Sequence, residues 1–136
     1  MDRYKLNEKD KRKLKVLLAE DNIINQKIAS INICKLGHEV EFANNGKIAI
    51  EKFQGAYYDI ILMDLQMPIM GGIEATKKIR EIEKSNIKRP IKIVAMTASA
   101  MPEDKHICFE AGMNDYISKP FRREDLSRVL NNYVSA

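Results

Sequence analysis

The chain has 136 residues, of which 45% are hydrophobic, and a formal net charge of +4; that length suits one domain and that apolar fraction is enough for a core buried between layers. No apolar run approaches the ~20 residues needed to span a bilayer, and the start is too charged for a signal peptide, so a soluble chain is expected. Cys34 and Cys108 show neither metal-ligand spacing nor a disulfide-rich pattern, which points to a reducing, cytoplasmic setting with both as small core residues.

Residues 1–15 hold seven Lys or Arg against three Asp or Glu, leaving sixteen of each in the remainder. This basic start, with Lys11-Arg12-Lys13, lacks apolar periodicity. Residues 1–14 are therefore expected as a solvated tail or linker, and 15–136 as a neutral folded body with no call for nucleic acid or a membrane surface.

Val16-Leu17-Leu18-Ala19 is a continuous apolar run, as in a strand buried on both faces of a parallel sheet. A helical stripe follows through Ile24, Ile28, Ile31 and Cys34, capped by Asp21 or Asn22 and stopped at Gly37. Glu39 to Ala43 alternates like an edge strand, and Ile48 to Phe53 has helical spacing. Ile60-Ile61-Leu62-Met63 is a second buried strand, followed by a helix through Ala75, Ile79 and Ile82. Ile93-Val94-Ala95-Met96 is a third, followed by a helix from Pro102 to Ala111 with Ile107, Cys108 and Ala111 as its apolar side. Asp115 to Ser118 is a short last strand, and Leu126, Val129, Leu130 and Tyr133 mark a last helix. Five β-α repeats with short connections predict an α/β fold: a doubly wound parallel sheet with helices on both faces.

In such a sheet the carboxyl ends of the strands share one edge, where ligands bind. Glu20, Asp21, Asp64, Thr97 and Lys119 each fall just past an apolar run, so folding gathers three carboxylates, a hydroxyl and an ammonium. Carboxylates so gathered repel one another, and a hard divalent cation resolves the repulsion. Magnesium suits Asp21 and Asp64 directly, with Glu20 acting through water. A carboxylate beside that cation can attack phosphorus, with Thr97 and Lys119 to neutralise the remaining equatorial oxygens.

Together the residues resemble the receiver domain of two-component response regulators over about residues 14–134. The likeness lies in L-L-A-E-D-N, in M-D-L-Q-M-P-I-M-G-G at Met63 to Gly72, in M-T-A at Met96 to Ala98 and in D-Y-I-S-K-P-F at Asp115 to Phe121. The resemblance implies a five-stranded flavodoxin-like sheet of order 2-1-3-4-5. It implies that Asp64 accepts phosphate from phosphohistidine, that Glu20, Asp21, Asp64 and the backbone carbonyl of Gln66 arrange Mg2+, and that Thr97 and Lys119 contact the phosphoryl group. Tyr116 matches the aromatic position that turns inward when Thr97 moves, and Lys119-Pro120 matches a cis peptide. The partner it implies is a histidine kinase or histidine phosphotransfer protein, with the domain a monomer or weak dimer.

One departure is Gly71, where the family pattern usually carries an acid; Gly71-Gly72 is expected to lend the loop after the acceptor its backbone freedom. The run E-D-N-I-I-N-Q at Glu20 to Gln26, with Q-M-P and E-A-T at Glu74 to Thr76, is similar to receivers of hybrid sensor histidine kinases; a stand-alone response regulator is the alternative. His38 and His106 are expected at the surface, His106 without an acidic neighbour to activate it, so the donor histidine comes from another domain or chain. A flavodoxin-like cofactor binder would need a phosphate-cradling loop where Glu20-Asp21 stands. An Asp-nucleophile phosphatase would need a second acid where Gln66 stands. An intact set of acids, Thr97 and Lys119 argues against a merely docking receiver. The domain alone is expected to show self-phosphorylation and hydrolysis rather than turnover of a free substrate.

Overall fold

Five strands alternate with five helices in a computed structural model that describes residues 12–85, 89–99 and 101–134. They run β1 Lys15–Ala19, α1 Ile23–Lys35, β2 Glu39–Ala43, α2 Gly46–Gly55, β3 Ile60–Asp64, α3 Gly72–Lys84, β4 Lys92–Thr97, α4 Pro102–Ala111, β5 Asp115–Ser118 and α5 Arg123–Val134. The sheet is parallel throughout, in the order β2-β1-β3-β4-β5, as expected. Residues 1–11 of the basic segment lie outside the described residues.

The strand runs are continuous in sequence because both faces of the sheet are covered. Val16, Leu18, Ile60, Leu62, Val94 and Met96 face a cluster completed by Ala29 and Ile33 of α1 and Leu126, Val129 and Leu130 of α5. Their neighbours Leu17, Ala19, Ile61, Met63, Ile93 and Ala95 face a second cluster with Ala49 of α2, Ala75 and Ile79 of α3, and Cys108 of α4. Leu14 is fully buried as well.

Two helices turn differently from the expected stripes. In α1 the buried residues are Ala29 and Ile33, while Ile24, Ile28 and Ile31 stand 67%, 50% and 54% exposed and Cys34 is exposed too. The sequence offers two overlapping apolar faces, and the sheet takes the one that includes the small Ala29, which lets the helix approach closely. In α4 Cys108 and Ala111 are buried but Ile107 is half-exposed. Asn22 rather than Asp21 caps α1, accepting the Asn25 N–H at 2.9 Å.

The histidines also depart from expectation. His38 is buried, and its Nδ1 accepts the N–H of Leu14 at 3.0 Å. The turn after Gly37 is folded under β1, so the imidazole satisfies a backbone donor that the sheet leaves unpaired. His106 is exposed as expected, but Glu110 one turn later pairs with it.

Candidate functional site

Parallel pairing fixes where each chemical group emerges. Ala19 is in register with Met63, Asp64 with Met96, and Thr97 with Ser118. Residues at or just beyond these positions therefore share the carboxyl edge, beside β1, where the chain crosses first to one side and then to the other.

Oxygen atoms of Glu20, Asp21 and Asp64 lie within 4.8 Å of one another. Glu20 and Asp64 are buried, at 2% and 5% exposure, and Asp21 is exposed. Lys119 reaches across from beyond β5, its Nζ 3.0 Å from Asp64 Oδ2 and 3.1 Å from Glu20 Oε2. The Lys119-Pro120 peptide is cis.

Burial, and then the Glu20 carboxyl beside it, push Asp64 up to about 6 against the pull of Lys119. Burial also acts to raise Glu20, but hydrogen bonds with Asp64, Lys119 and Asn25 outweigh it and hold Glu20 below the usual range. Burial would lower Lys119, yet the two carboxylates keep its pKa raised. The proton taken up as the pH falls through about 6 is thus shared by the two buried acids, a property of the pair rather than of Asp64 alone. Three ionised carboxylates and one ammonium leave two negative charges. An all-oxygen donor set with that residual charge fits a hard divalent cation such as Mg2+.

Glu20 is held by the residues that follow it at the start of α1. Its Oε1 accepts the Asn22 N–H and the Asn25 side-chain amide, each at 3.2 Å. Gln26 donates to the Glu20 carbonyl at 2.6 Å and to Asn44 Oδ1 at 2.9 Å. The signal was in Asn25 and Gln26, side-chain amides about one helical turn beyond Glu20 that can donate back to its carboxylate and its carbonyl.

The remaining expected residues stand on β4 and β5 or just after β3. Thr97 ends β4, buried, with its Oγ1 accepting the Ser99 N–H at 3.0 Å and its carbonyl accepting the Lys119 N–H at 2.7 Å. Ser99 donates in turn to Asp104 in the first turn of α4. Gln66 is exposed, and its N–H lies 3.4 Å from Asp64 Oδ1. Tyr116 is half-buried, edge-on to Phe109 of α4 with centroids 6.4 Å apart, and Lys105 Nζ stands 4.3 Å from its ring.

Gly71 and Gly72 serve the site through room rather than unusual backbone angles. A Cβ at Gly72 would overlap the carbonyl of Asp64, and one at Gly71 would lie 2.7 Å from the carbonyl of Leu65. The positive φ in this loop, +69°, belongs to Ile69 instead. A cavity of about 770 Å³ is at the opposite pole, walled by Leu14, Tyr58, Asp59 and Lys92 at the amino ends of β1, β3 and β4. It lies away from the carboxylates.

Among the described residues no helix is long and apolar enough to cross a membrane. The sequence profile of the response regulator receiver domain matches residues 16–131. Hybrid signal transduction histidine kinase K of Dictyostelium discoideum is 46% identical over 121 residues, which is 86% of this chain and 10% of that protein. Histidine protein kinase 1 of Candida albicans is 38% identical over 86% of this chain and 5% of its own length. The chain therefore spans a tenth or less of these relatives. The solved receiver domain of Saccharomyces cerevisiae Ssk1, in complex with the histidine phosphotransfer protein Ypd1, aligns with a TM-score of 0.87 and 36% identity, covering 92% of this chain and 91% of the other. The receiver of sensor histidine kinase PA1611 from Pseudomonas aeruginosa, which has a magnesium ion coordinated in its active-site cleft, aligns at 0.79 and 35% identity over 91% and 99%. With strand order, acidic edge and sequence in agreement, this chain belongs to the response regulator receiver domain family.

Proposed function

We propose that Asp64 accepts a phosphoryl group from the phosphohistidine of a histidine kinase or histidine phosphotransfer protein, in a phosphorelay. The observation that carries this reading is the Lys119 ammonium, 3.0 Å from Asp64 and 3.1 Å from Glu20, set against three carboxylates. An ionised Asp64 oxygen attacks phosphorus, the P–N bond breaks, and the imidazole nitrogen leaves with the electron pair. Lys119 neutralises one phosphoryl oxygen and the Thr97 hydroxyl donates to another. Glu20, Asp21, Asp64 and the Gln66 carbonyl would hold Mg2+, which supplies charge neutralisation on the transferring group. Thr97 then draws on the Ser99–Asp104 link to α4, and Tyr116, wedged against Phe109 and Lys105, registers the shift as a change in a protein-binding surface.

The donor's seat is supplied by α1. Ile23, Ile24, Ile28 and Ile31 are all half or more exposed on a helix that begins directly after Glu20-Asp21. An exposed apolar patch beside a site that must meet another protein marks the contact. The Ssk1 receiver, solved with its phosphotransfer protein, makes a partner of that kind the favoured occupant. The likeness to hybrid kinases supports a place within, or beside, such a kinase.

Intact-mass measurement with a small phosphodonor is the test. One phosphoryl group is expected on the wild type only with Mg2+ present, and none on Asp64→Asn. Equal labelling of the variant would move the acceptor elsewhere.

A further inference from the structure

Strand β5 has four residues, lies at the sheet edge and fully buries only Ile117. Register is strongly specified where a whole face is buried, and a slip of one residue turns every side chain over. A single apolar contact is slender support. Yet Lys119, the residue after β5, must arrive within reach of two carboxylates, and each residue of slip displaces it by ~3.3 Å.

The register is set by polar contacts at the start of the strand. Asn114 grips Ile93 of β4 twice: its N–H donates to the Ile93 carbonyl at 2.8 Å, and its Oδ1 accepts the Ile93 N–H at 2.9 Å. That oxygen also accepts from Arg80 Nη2 of α3 at 2.9 Å. Arg80 donates through Nε to the Gly112 carbonyl at 2.9 Å, and through Nη1 to the Ile91 carbonyl at 2.8 Å and Glu83 at 2.7 Å. The second Glu83 oxygen accepts the Ile91 N–H at 2.7 Å. One guanidinium thus ties α3 to the segment entering β4 and to the turn entering β5. Gly112 makes room for it, since a Cβ there would lie 2.8 Å from Arg80 Cγ. At the other end the Lys119 N–H bonds the Thr97 carbonyl, so the β4–β5 ladder is pinned at both ends.

We propose that Asn114 and Arg80 are positioning residues for Lys119: they fix the β5 register that delivers its ammonium to Asp64 and Glu20. The functional consequence rests on the reading of Lys119 as a phosphoryl contact. The fork of five donors is what lets one side chain span four acceptors, so lysine is no substitute at position 80.

The test compares Asn114→Leu, which removes the acceptor, Asn114→Asp, which keeps it opposite Arg80, and Arg80→Lys. Amide NMR dispersion confirms the folded state, the Lys119 side-chain signal reads its position, and Mg2+ and beryllofluoride affinities are titrated separately. Asn114→Leu and Arg80→Lys are expected to move the Lys119 signal toward that of an exposed lysine. They should weaken beryllofluoride binding at saturating Mg2+ by about tenfold or more, without weakening Mg2+ itself. Asn114→Asp should stay within about twofold of wild type. An unmoved Lys119 signal in either folded variant, or parallel loss of both affinities, would overturn the proposal. Lys119→Met separates the two ideas: wild-type beryllofluoride binding there removes the phosphoryl role of Lys119, while the Lys119 signal in the other variants still decides the positioning role.

Discussion

His38 Nδ1 accepts the N–H of Leu14 across 24 residues, inside the protein rather than at its surface. Burial lowers the pKa of this imidazole against the opposing pull of Asp59. A protonated ring has no lone pair at Nδ1 to offer, so the bond exists only with neutral histidine.

The sign of the pH effect follows. The unfolded chain takes up a proton on His38 near its ordinary value of 6.5, the folded chain only at lower pH, so this contribution is full above that value and is lost as pH falls below it. His38→Ala should cost about 1–2 kcal/mol at pH 7.5. It should also flatten the fall in stability as the pH drops below about 6.5. Urea titrations across that range check it; parallel slopes for the two proteins would place the acid sensitivity elsewhere.

In α1 the paired roles of Ile33 and Ile28 invite the next comparison. Ile33 is fully buried against the sheet and Ile28 is half-exposed. Ile33→Ala should cost about 2–5 kcal/mol, the usual range for emptying a core site. Ile28→Ser should change stability by less than about 0.5 kcal/mol. Under the proposed docking role, Ile28→Ser should nevertheless slow phosphotransfer from a phosphohistidine protein while leaving labelling by a small phosphodonor unchanged.

That contrast shows what the sequence could and could not convey. The strands were legible because β1, β3 and β4 are apolar without interruption, and their order placed Glu20, Asp64 and Lys119 on one edge. The burial of α1 was not legible: Ile24, Ile28 and Ile31 form as good a stripe as Ala29 and Ile33, and only the neighbouring α5 and sheet decide which turns inward. His38 was misread because a histidine after a turn glycine carries no sign of the backbone N–H that awaits it. The amides of Asn25 and Gln26 were visible as letters, but their hold on Glu20 depends on how α1 leaves β1.

Ile69 adopts φ +69° on the loop after Asp64 and is 78% exposed. For a β-branched residue this region is costly, about 1–2 kcal/mol, and no burial offsets it here. Ile69→Asn, which tolerates the left-handed region, should raise stability by about 1 kcal/mol. Thermal melts of the two proteins check this; an unchanged melting point would show that the loop relaxes out of that conformation in solution.

Asp64 gives the sharpest test of the site's electrostatics. Its pKa is raised from 3.8 to about 6 in the folded protein, chiefly by burial and then by Glu20. The folded state therefore holds a proton that the unfolded state releases, and the stability associated with Asp64 is present below about pH 4 and lost as pH rises through 6. Asp64→Asn escapes that loss. It should match or trail the wild type near pH 4 and exceed it by an amount on the order of 1–2 kcal/mol at pH 8, the opposite shift of Glu20 reducing the full linkage value. Mg2+ should reverse the order, since it stabilises only the protein with all three carboxylates by mass action. Denaturant curves at both pH values, with and without Mg2+, decide the matter: a variant no more stable than wild type at pH 8 without Mg2+ would mean that Lys119 already neutralises the pair.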